Sequence, residues 1–524
     1  MVFGHRQWAL HSVSFSGDLS LRLLIRQLRS CRLIALRADR SPPALDAPPA
    51  WAYVGHEQVA NGGATAVEVG RRTFLRLATG GSVVSLLSVS TTDEVNAASR
   101  WMGPASQPGR TERAQAAPDD PGLPDGAFGQ NVEVVGYSDL AGRPGFKLDI
   151  QQVQDRWYLY MGHLWHRGWT IADVTDPANP EVLDFIPGPT NTWTIQMVTA
   201  DGKMVTALER IAPGWGGDAN APNDEGVLIW DLSDPLEPQR LGQFRTGGSG
   251  THRNFYAGGQ YAHLTAGMPG YSGNIYVIID IADPAQPVEV SRWWVPGQHA
   301  AAGESTDPAV SLHGPPYVIG NLVYLPYGAA GMQILDISDI SQPKRVGQLG
   351  FSPPFLKNIG VHSILPLPER GIATVNSESI AEDCQEALNH ASVVDISNPA
   401  EPVLLATMPK PAPPAGSPWA DFCEKGGRFG PHNVHMQYAN PFVEHRDDRI
   451  YLTYFTAGLR VIDIADPRQP LEVGYFLPPE PTERIGVLPR TLTSQTEDVL
   501  VDARGYIYIT DKNEGLWILR SVEA

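Results

Sequence analysis

Six copies of one short pattern constrain this chain more than anything else in it. They are Asp173–Pro180, Asp231–Pro238, Asp280–Pro287, Asp336–Pro343, Asp395–Pro402 and Asp463–Pro470, each close to Asp-apolar-Ser/Thr/Ala-Asp-Pro-x-x-Pro. Successive starts lie 58, 49, 56, 59 and 68 residues apart. Repeats of this length mark solenoids, propellers or arrays. The pattern itself is turn chemistry: Asp bonds its own backbone two residues on, and Pro fixes φ and ends a strand ladder. An apolar strand precedes each copy, as in Val227–Trp230, and another follows, as in Leu471–Tyr475. Two more strands lie upstream, clearest at Tyr317–Ile319 and Leu322–Leu325 around a Gly320-Asn321 turn. Four antiparallel strands per repeat predict an all-β, seven-bladed β-propeller with four-stranded blades.

The seventh blade comes from the two ends of the repeat region. The C-terminus offers three strands, at 498–501, 505–509 and 515–519, and no fourth. Asn131–Tyr137 matches the outer strand Pro470–Tyr475, so an N-terminal strand is expected to complete the last blade and close the ring. The propeller is thus expected over residues 130–524. The repeats resemble those of the LVIVD-repeat family, a resemblance covering roughly residues 130–520 and speaking to architecture rather than chemistry.

The 524 residues carry a formal net charge of −18. The first 116 hold 13 basic and 8 acidic side chains, leaving a net of −23 on the rest. A body of that sign repels phosphate backbones and excludes nucleic acid as a natural partner. No run of 18 apolar residues predicts a transmembrane segment. Gly70-Arg-Arg-Thr-Phe-Leu-Arg76, followed by a weakly apolar stretch to about Val89, resembles a twin-arginine export signal, with Arg76 where Lys is usual. Val95-Asn96-Ala97 and Ala114-Gln115-Ala116 both offer small residues for signal cleavage. The resemblance implies 70–116 as signal and linker, the Tat machinery as export partner and a periplasmic or otherwise exported product. Residues 1–69 are expected to be an upstream extension that is not made or not ordered. In an oxidising compartment Cys384 and Cys423, both in long inserts, could pair.

Chemistry is expected where the repeats differ. At one recurrent position of the innermost strand stand His252, His313, His362 and His432, on blades three to six. Blade seven places Glu497 there, blade two Trp193 or Thr194, and blade one about Lys147. Equivalent inner positions face the same axis, and a purely structural histidine would be expected in every repeat. Imidazole suits Fe, Cu, Zn and Ni, so the four are expected to hold one transition metal ion. Glu497 is expected as the catalytic carboxylate, either a fifth ligand or an acceptor that fixes a histidine tautomer. His435 is expected to point away from His432, and His263 to pack within its sheet. His163, Trp165, His166, Trp169, Trp193, Trp215 and Tyr271 are candidates for a rim over the metal, with Asn376–Ser379 and 403–431 as a lid.

A propeller with four axial histidines resembles the carotenoid- and stilbene-cleavage oxygenases, where four histidines hold Fe(II), and the copper-associated selenium-binding protein/methanethiol oxidase group. It implies an exported oxidoreductase or oxygenase with Fe(II) favoured and Cu as alternative, a small organic substrate, aromatic or apolar, and dioxygen as co-substrate. The rival expectations are a non-catalytic binding propeller and a metal-dependent lyase or hydrolase.

Overall fold

In the six signatures, the structure turns the sequence pattern directly into hydrogen bonds. The first Asp of each copy accepts from the backbone N–H two residues on: Asp173 from Thr175 at 2.8 Å, Asp231 from Ser233 at 2.7 Å, Asp280 from Ala282, Asp336 from Ser338 and Asp463 from Ala465 at 2.8 Å, and Asp395 from Ser397 at 2.9 Å. The second acidic or amide residue repeats the bond, as at Asp176, Asp234, Asp283, Asp339, Asn398 and Asp466. Two consecutive side-chain turns thus link the third and fourth strands of each repeat.

The computed structural model describes strands at 67–69, 72–79 and 82–88, then residues 122–307, 309–350, 359–387, 389–438 and 440–522. Two units are distinguished, Met1–Pro108 and Gly109–Ala524. In the first, Val67–Val69, Arg72–Thr79 and Ser82–Ser88 form a three-stranded antiparallel sheet. Residues 1–66 and both candidate cleavage sites lie outside the described residues.

The second unit is all-β and of propeller type. Its first sheet runs Gly145–Val153, Arg156–His163, Gly168–Asp173, Glu181–Pro187. A nine-stranded sheet follows, in which the sets around Lys203–Arg210 and Tyr261–Gly267 join through one residue pair, Glu209 with Gly250. Next come four-stranded sheets from Tyr317–Ile319 to Lys344–Leu349 and from Ser363–Leu367 to Val403–Thr407. The last sheet is Thr496–Val501, Tyr506–Asp511, Leu516–Ser521 and, beside it, Val132–Ser138. The N-terminal strand therefore completes the C-terminal sheet, as expected.

Two details depart from expectation. Phe128–Gln130 adds an edge to the sheet of Arg449–Thr453, Leu459–Asp463 and Leu471–Leu477. The segment around His432 is not a regular inner strand there; isolated bridges of Phe429 with Phe455 and of Val434 with Leu452, and backbone bonds to Tyr451 and Thr453, hold it beside the next strand.

Neighbouring sheets approach so closely that some outer-strand positions exclude a side chain. A Cβ on Gly136 would lie 2.1 Å from the carbonyl oxygen of Pro177, and one on Gly347 would lie 1.9 Å from that of Pro399. The Gly136 contact joins the N-terminal strand of the last sheet to the signature turn of the first. Apolar side chains such as Ile150, Leu159, Ile229, Val277, Ile334, Val393 and Ile518 fill the space between sheets and are fully buried. Cys384 and Cys423 form a disulfide between the two inserts. No described helix is long and apolar enough to cross a membrane.

Candidate metal centre

The four histidines come together. Ring centroids are 4.4 Å apart for His252 and His313, 5.3 Å for His313 and His362, and 4.9 Å for His362 and His432. Register explains the convergence. The backbone N–H groups of His313, His362 and His432 each bond to the next strand, at Pro326, Asn376 and Thr453, just where the inner strand begins. Gly314 lets adjacent inner segments meet, since a Cβ there would lie 1.6 Å from the carbonyl oxygen of His362.

Their tautomers are fixed from behind. His252 donates from Nδ1 to Glu209 Oε2 at 2.6 Å. His362 donates from Nδ1 to Ser363 Oγ at 2.7 Å, and that hydroxyl donates onward to the carbonyl of His432. His432 donates from Nδ1 to the carbonyl of Glu497 at 2.7 Å. In all three the lone pair therefore sits on Nε2. The Nε2 atoms of His252 and His362 are buried and have no hydrogen-bond partner. Burial lowers the pKa of His313 and pushes those of His362 and His432 well below the ordinary value, so the imidazoles are neutral, the form that ligates metals.

Sequence reasoning placed Glu378 in a lid; the structure places it inside the cluster. Its Oε2 lies 3.0 Å from His313 Nε2 and 3.5 Å from His362 Nε2, and its Oε1 lies 3.8 Å from His432 Nε2. His313, His362 and Glu378 each offer one ligand atom within 4.8 Å of the others. Arg428 donates to Glu378 Oε1 at 3.0 Å.

Glu497 lies on the far side of His432. Its Oε2 is 3.4 Å from His432 Nδ1, and its Oε1 is 2.7 Å from Lys512 Nζ. The bond that fixes the His432 ring goes to the backbone carbonyl of Glu497, and the carboxylate is paired with Lys512. Lys147 does not join the ring and pairs with Asp498 at 3.1 Å. His263 packs within its sheet against Tyr276, and His435 is held by Val501 and Glu444 away from the cluster, both as expected.

The aromatic rim divides. Trp165 stacks on Trp215 at 6.1 Å, Trp193 meets Trp215 edge-on at 5.7 Å, and the guanidinium of Arg428 lies 4.9 Å from the Trp215 ring. These tryptophans therefore reach the cluster through the arginine that holds Glu378. Tyr271 packs instead with Trp294 and His299, and Trp169 with Trp230. His163 is buried and bonds Pro144 and Thr170, so it faces neither solvent nor the cluster. His166, half-buried, has its Nδ1 unpartnered near His163.

A family model for the LVIVD repeat matches residues 270–294, 317–349, 389–408 and 448–477. The chain carries LVIVD repeats. The matched stretches contain four of the six signatures, those from Asp280 onward. No curated protein matches the sequence. Among solved structures, the chain is similar in fold to the β-propeller domain of Cps50 (Swd1) from Myceliophteria thermophila, at 11% identity and a TM-score of 0.46, covering 75% of this chain and 100% of that one. The periplasmic gluconolactonase PpgL of Pseudomonas aeruginosa is 12% identical with a TM-score of 0.44, again covering 75% and 100%. The computationally designed protein Ika8 is 10% identical with a TM-score of 0.40, covering 72% and 96%.

Proposed function

We propose that this LVIVD-repeat propeller is an exported metalloenzyme, an oxidoreductase or oxygenase in which axial histidines hold one transition metal ion. The reading takes the nine-stranded sheet as two blades, giving seven blades in all. The observation that carries it is the pair of buried, unpartnered Nε2 lone pairs on His252 and His362. Such lone pairs are costly unless a Lewis acid takes them up. Each is presented to the same interior by a partner behind the ring, the arrangement that orients metal-ligating histidines.

The open side of such a centre is also legible. The side chain of His313 is 21% exposed and that of His252 10%, whereas His362 and His432 are at 0% and 1%. Substrate would approach beside His313 and His252, and the Trp165, Trp193 and Trp215 group would form an apolar wall on the side of Arg428. A bound metal would supply Lewis acidity or one-electron chemistry, with Fe(II) favoured over Cu, dioxygen as co-substrate and a small organic molecule as substrate. The protein's part is to exclude water, fix the ring tautomers through Glu209, Ser363 and Glu497, and hold Glu378 ionised against Arg428.

Elemental analysis of the exported full chain tests this. About one equivalent of Fe or Cu per chain is expected, and His362→Ala is expected to lose it while still folding. Wild-type protein that takes up no stoichiometric metal, even after anaerobic Fe(II) or Cu reconstitution, overturns the reading. The ion pair of Glu378 with Arg428 and the bond from Arg253 to His432 favour a second reading. In it the polar centre is a structural plug of a non-catalytic binding propeller, and metal-free protein is its expected result.

A further inference from the structure

Building on that metal reading, we infer that the ligand set is His252, His313, His362 and the carboxylate of Glu378, with His432 held out of it by Arg253. The inference replaces a four-imidazole site with a three-imidazole, one-carboxylate site.

The direction from which each carboxylate approaches an imidazole carries the argument. A carboxylate that merely supports a ligating histidine sits behind the ring, at Nδ1. Glu209 does so toward His252, and on His432 the same place is taken by the backbone carbonyl of Glu497. Glu378 does the opposite and faces Nε2 atoms, among them that of His362, whose lone pair is fixed there by Ser363. Its Oε2 stands 3.0 Å from one Nε2 and 3.5 Å from another. Two ligand atoms bound to a common ion at about 2.1 Å are about 3.0 Å apart when cis in an octahedron and about 3.4 Å apart in a tetrahedron. Oε2 nevertheless accepts no hydrogen bond, although it is buried. Its twin Oε1 is occupied by Arg428, which leaves Oε2 as the single free ligand atom and fixes its aim.

His432 is differently placed. Its Nδ1 is a donor to Glu497, so only Nε2 could bind a metal, and Arg253 already donates to that atom at 3.2 Å. Arg253 is fully enclosed, and a second nitrogen of the same guanidinium donates to Asn433 at 3.0 Å. Bringing His432 onto the ion would strip a buried guanidinium of one acceptor and place a cation beside a cation, both unfavourable. His432 and Arg253 therefore act as positioning residues that close the deep side of the centre.

The chemical consequence concerns the metal. Carboxylate-bearing sets with open positions suit Fe(II), whereas all-imidazole sets serve Cu equally well. The new set keeps the open positions on the His313 side.

The test is a crystal structure of the full chain loaded anaerobically with Fe(II), with metal content measured in parallel for Glu378→Gln and His432→Gln. The expected result is an iron atom bonded to Glu378 Oε2 and three imidazoles, with Arg253 still bonded to His432. Glu378→Gln is expected to lower iron affinity at least about 100-fold, and His432→Gln to lower it by about 10-fold or less. Circular dichroism and thermal melts check that each variant is folded. Iron bound by four imidazoles with Glu378 turned away, or Glu378→Gln holding iron as well as wild type, overturns the inference but leaves the metalloenzyme standing. Wild-type protein that binds no iron or other metal defeats both.

Discussion

The outer turns and the axial ends of the same repeats obey opposite rules. At the periphery all six signature turns make the same two side-chain-to-backbone bonds, so the residues that matter there are those that recur. On the axis the equivalent positions carry Lys147, His252, His313, His362, His432 and Glu497, and only some of them meet. A repeat protein is held together by what its units share. Its chemistry has to come from what they do not share, because one centre needs donors of different kind and direction.

The sharpest break in this contrast uses two glycines that each touch a carbonyl of the next unit. A Cβ on Gly314 would come 1.6 Å from His362 O, and one on Gly347 would come 1.9 Å from Pro399 O. Gly314→Ala must push apart two inner segments enclosed on both sides, and destabilisation of about 3 kcal/mol or more is expected. The displaced backbone carries His313 and His362, so metal uptake should fall with stability. Gly347 lies on an outer strand whose flanking residues are largely exposed, and Gly347→Ala should cost less, about 1–2 kcal/mol, with metal uptake intact. Denaturant titration with parallel metal analysis separates the two. Equal loss of metal in both variants would show that periphery and axis are not separable.

The same contrast explains what could be read from the sequence. Turn chemistry is local, so Asp-Pro-x-x-Pro announced the hairpins and, through their repetition, the sheets. The four histidines were legible because they share a register with one another. Glu378 was not, because it lies two residues beyond the end of the strand Ile372–Asn376, where no repeat position predicts direction. Arg253 was hidden in a different way. It follows His252 directly and would be expected on the opposite face of a regular strand. The register shift between Thr251 and Arg253 turns it toward His432. Tyr271 failed as a rim residue because its partners, Trp294 and His299, come from its own repeat and its insert. Composition could suggest an aromatic rim but could not say which rings share it.

A second, smaller effect concerns histidines that are buried inside sheets and away from the axis. Burial pushes His163 and His435 down to about 4 and His263 down to about 3. Unfolding would return each to its ordinary value near 6.5, so the unfolded chain takes up protons first as pH falls. Their contribution is present above pH 6.5 and is lost as the pH drops from there toward 4. The expected slope is up to about 1.4 kcal/mol per pH unit for each group. His263→Gln should remove one group's share, and urea titrations between pH 7 and 4.5 would measure it. A slope unchanged in that variant would mean that His263 protonates in the folded state as readily as in the unfolded one.

The smallest effect belongs to the periphery itself. Asp463 accepts one backbone hydrogen bond from Ala465 at 2.8 Å, at a turn open to solvent. Removing one such bond costs about 1 kcal/mol, since water can replace the lost partner at an exposed site. Asp463→Ala should therefore lower stability by about that amount and leave metal content at the wild-type level. The same substitution at Asp280 should cost somewhat more, because Asp280 also accepts from Gln260 Nε2 at 2.6 Å. Combining the two should give nearly additive losses, the behaviour expected of distant sites with no shared partner. A double variant that lost its metal would show that the turns do more than hold each blade to itself, and that the axis depends on the tension of the whole ring.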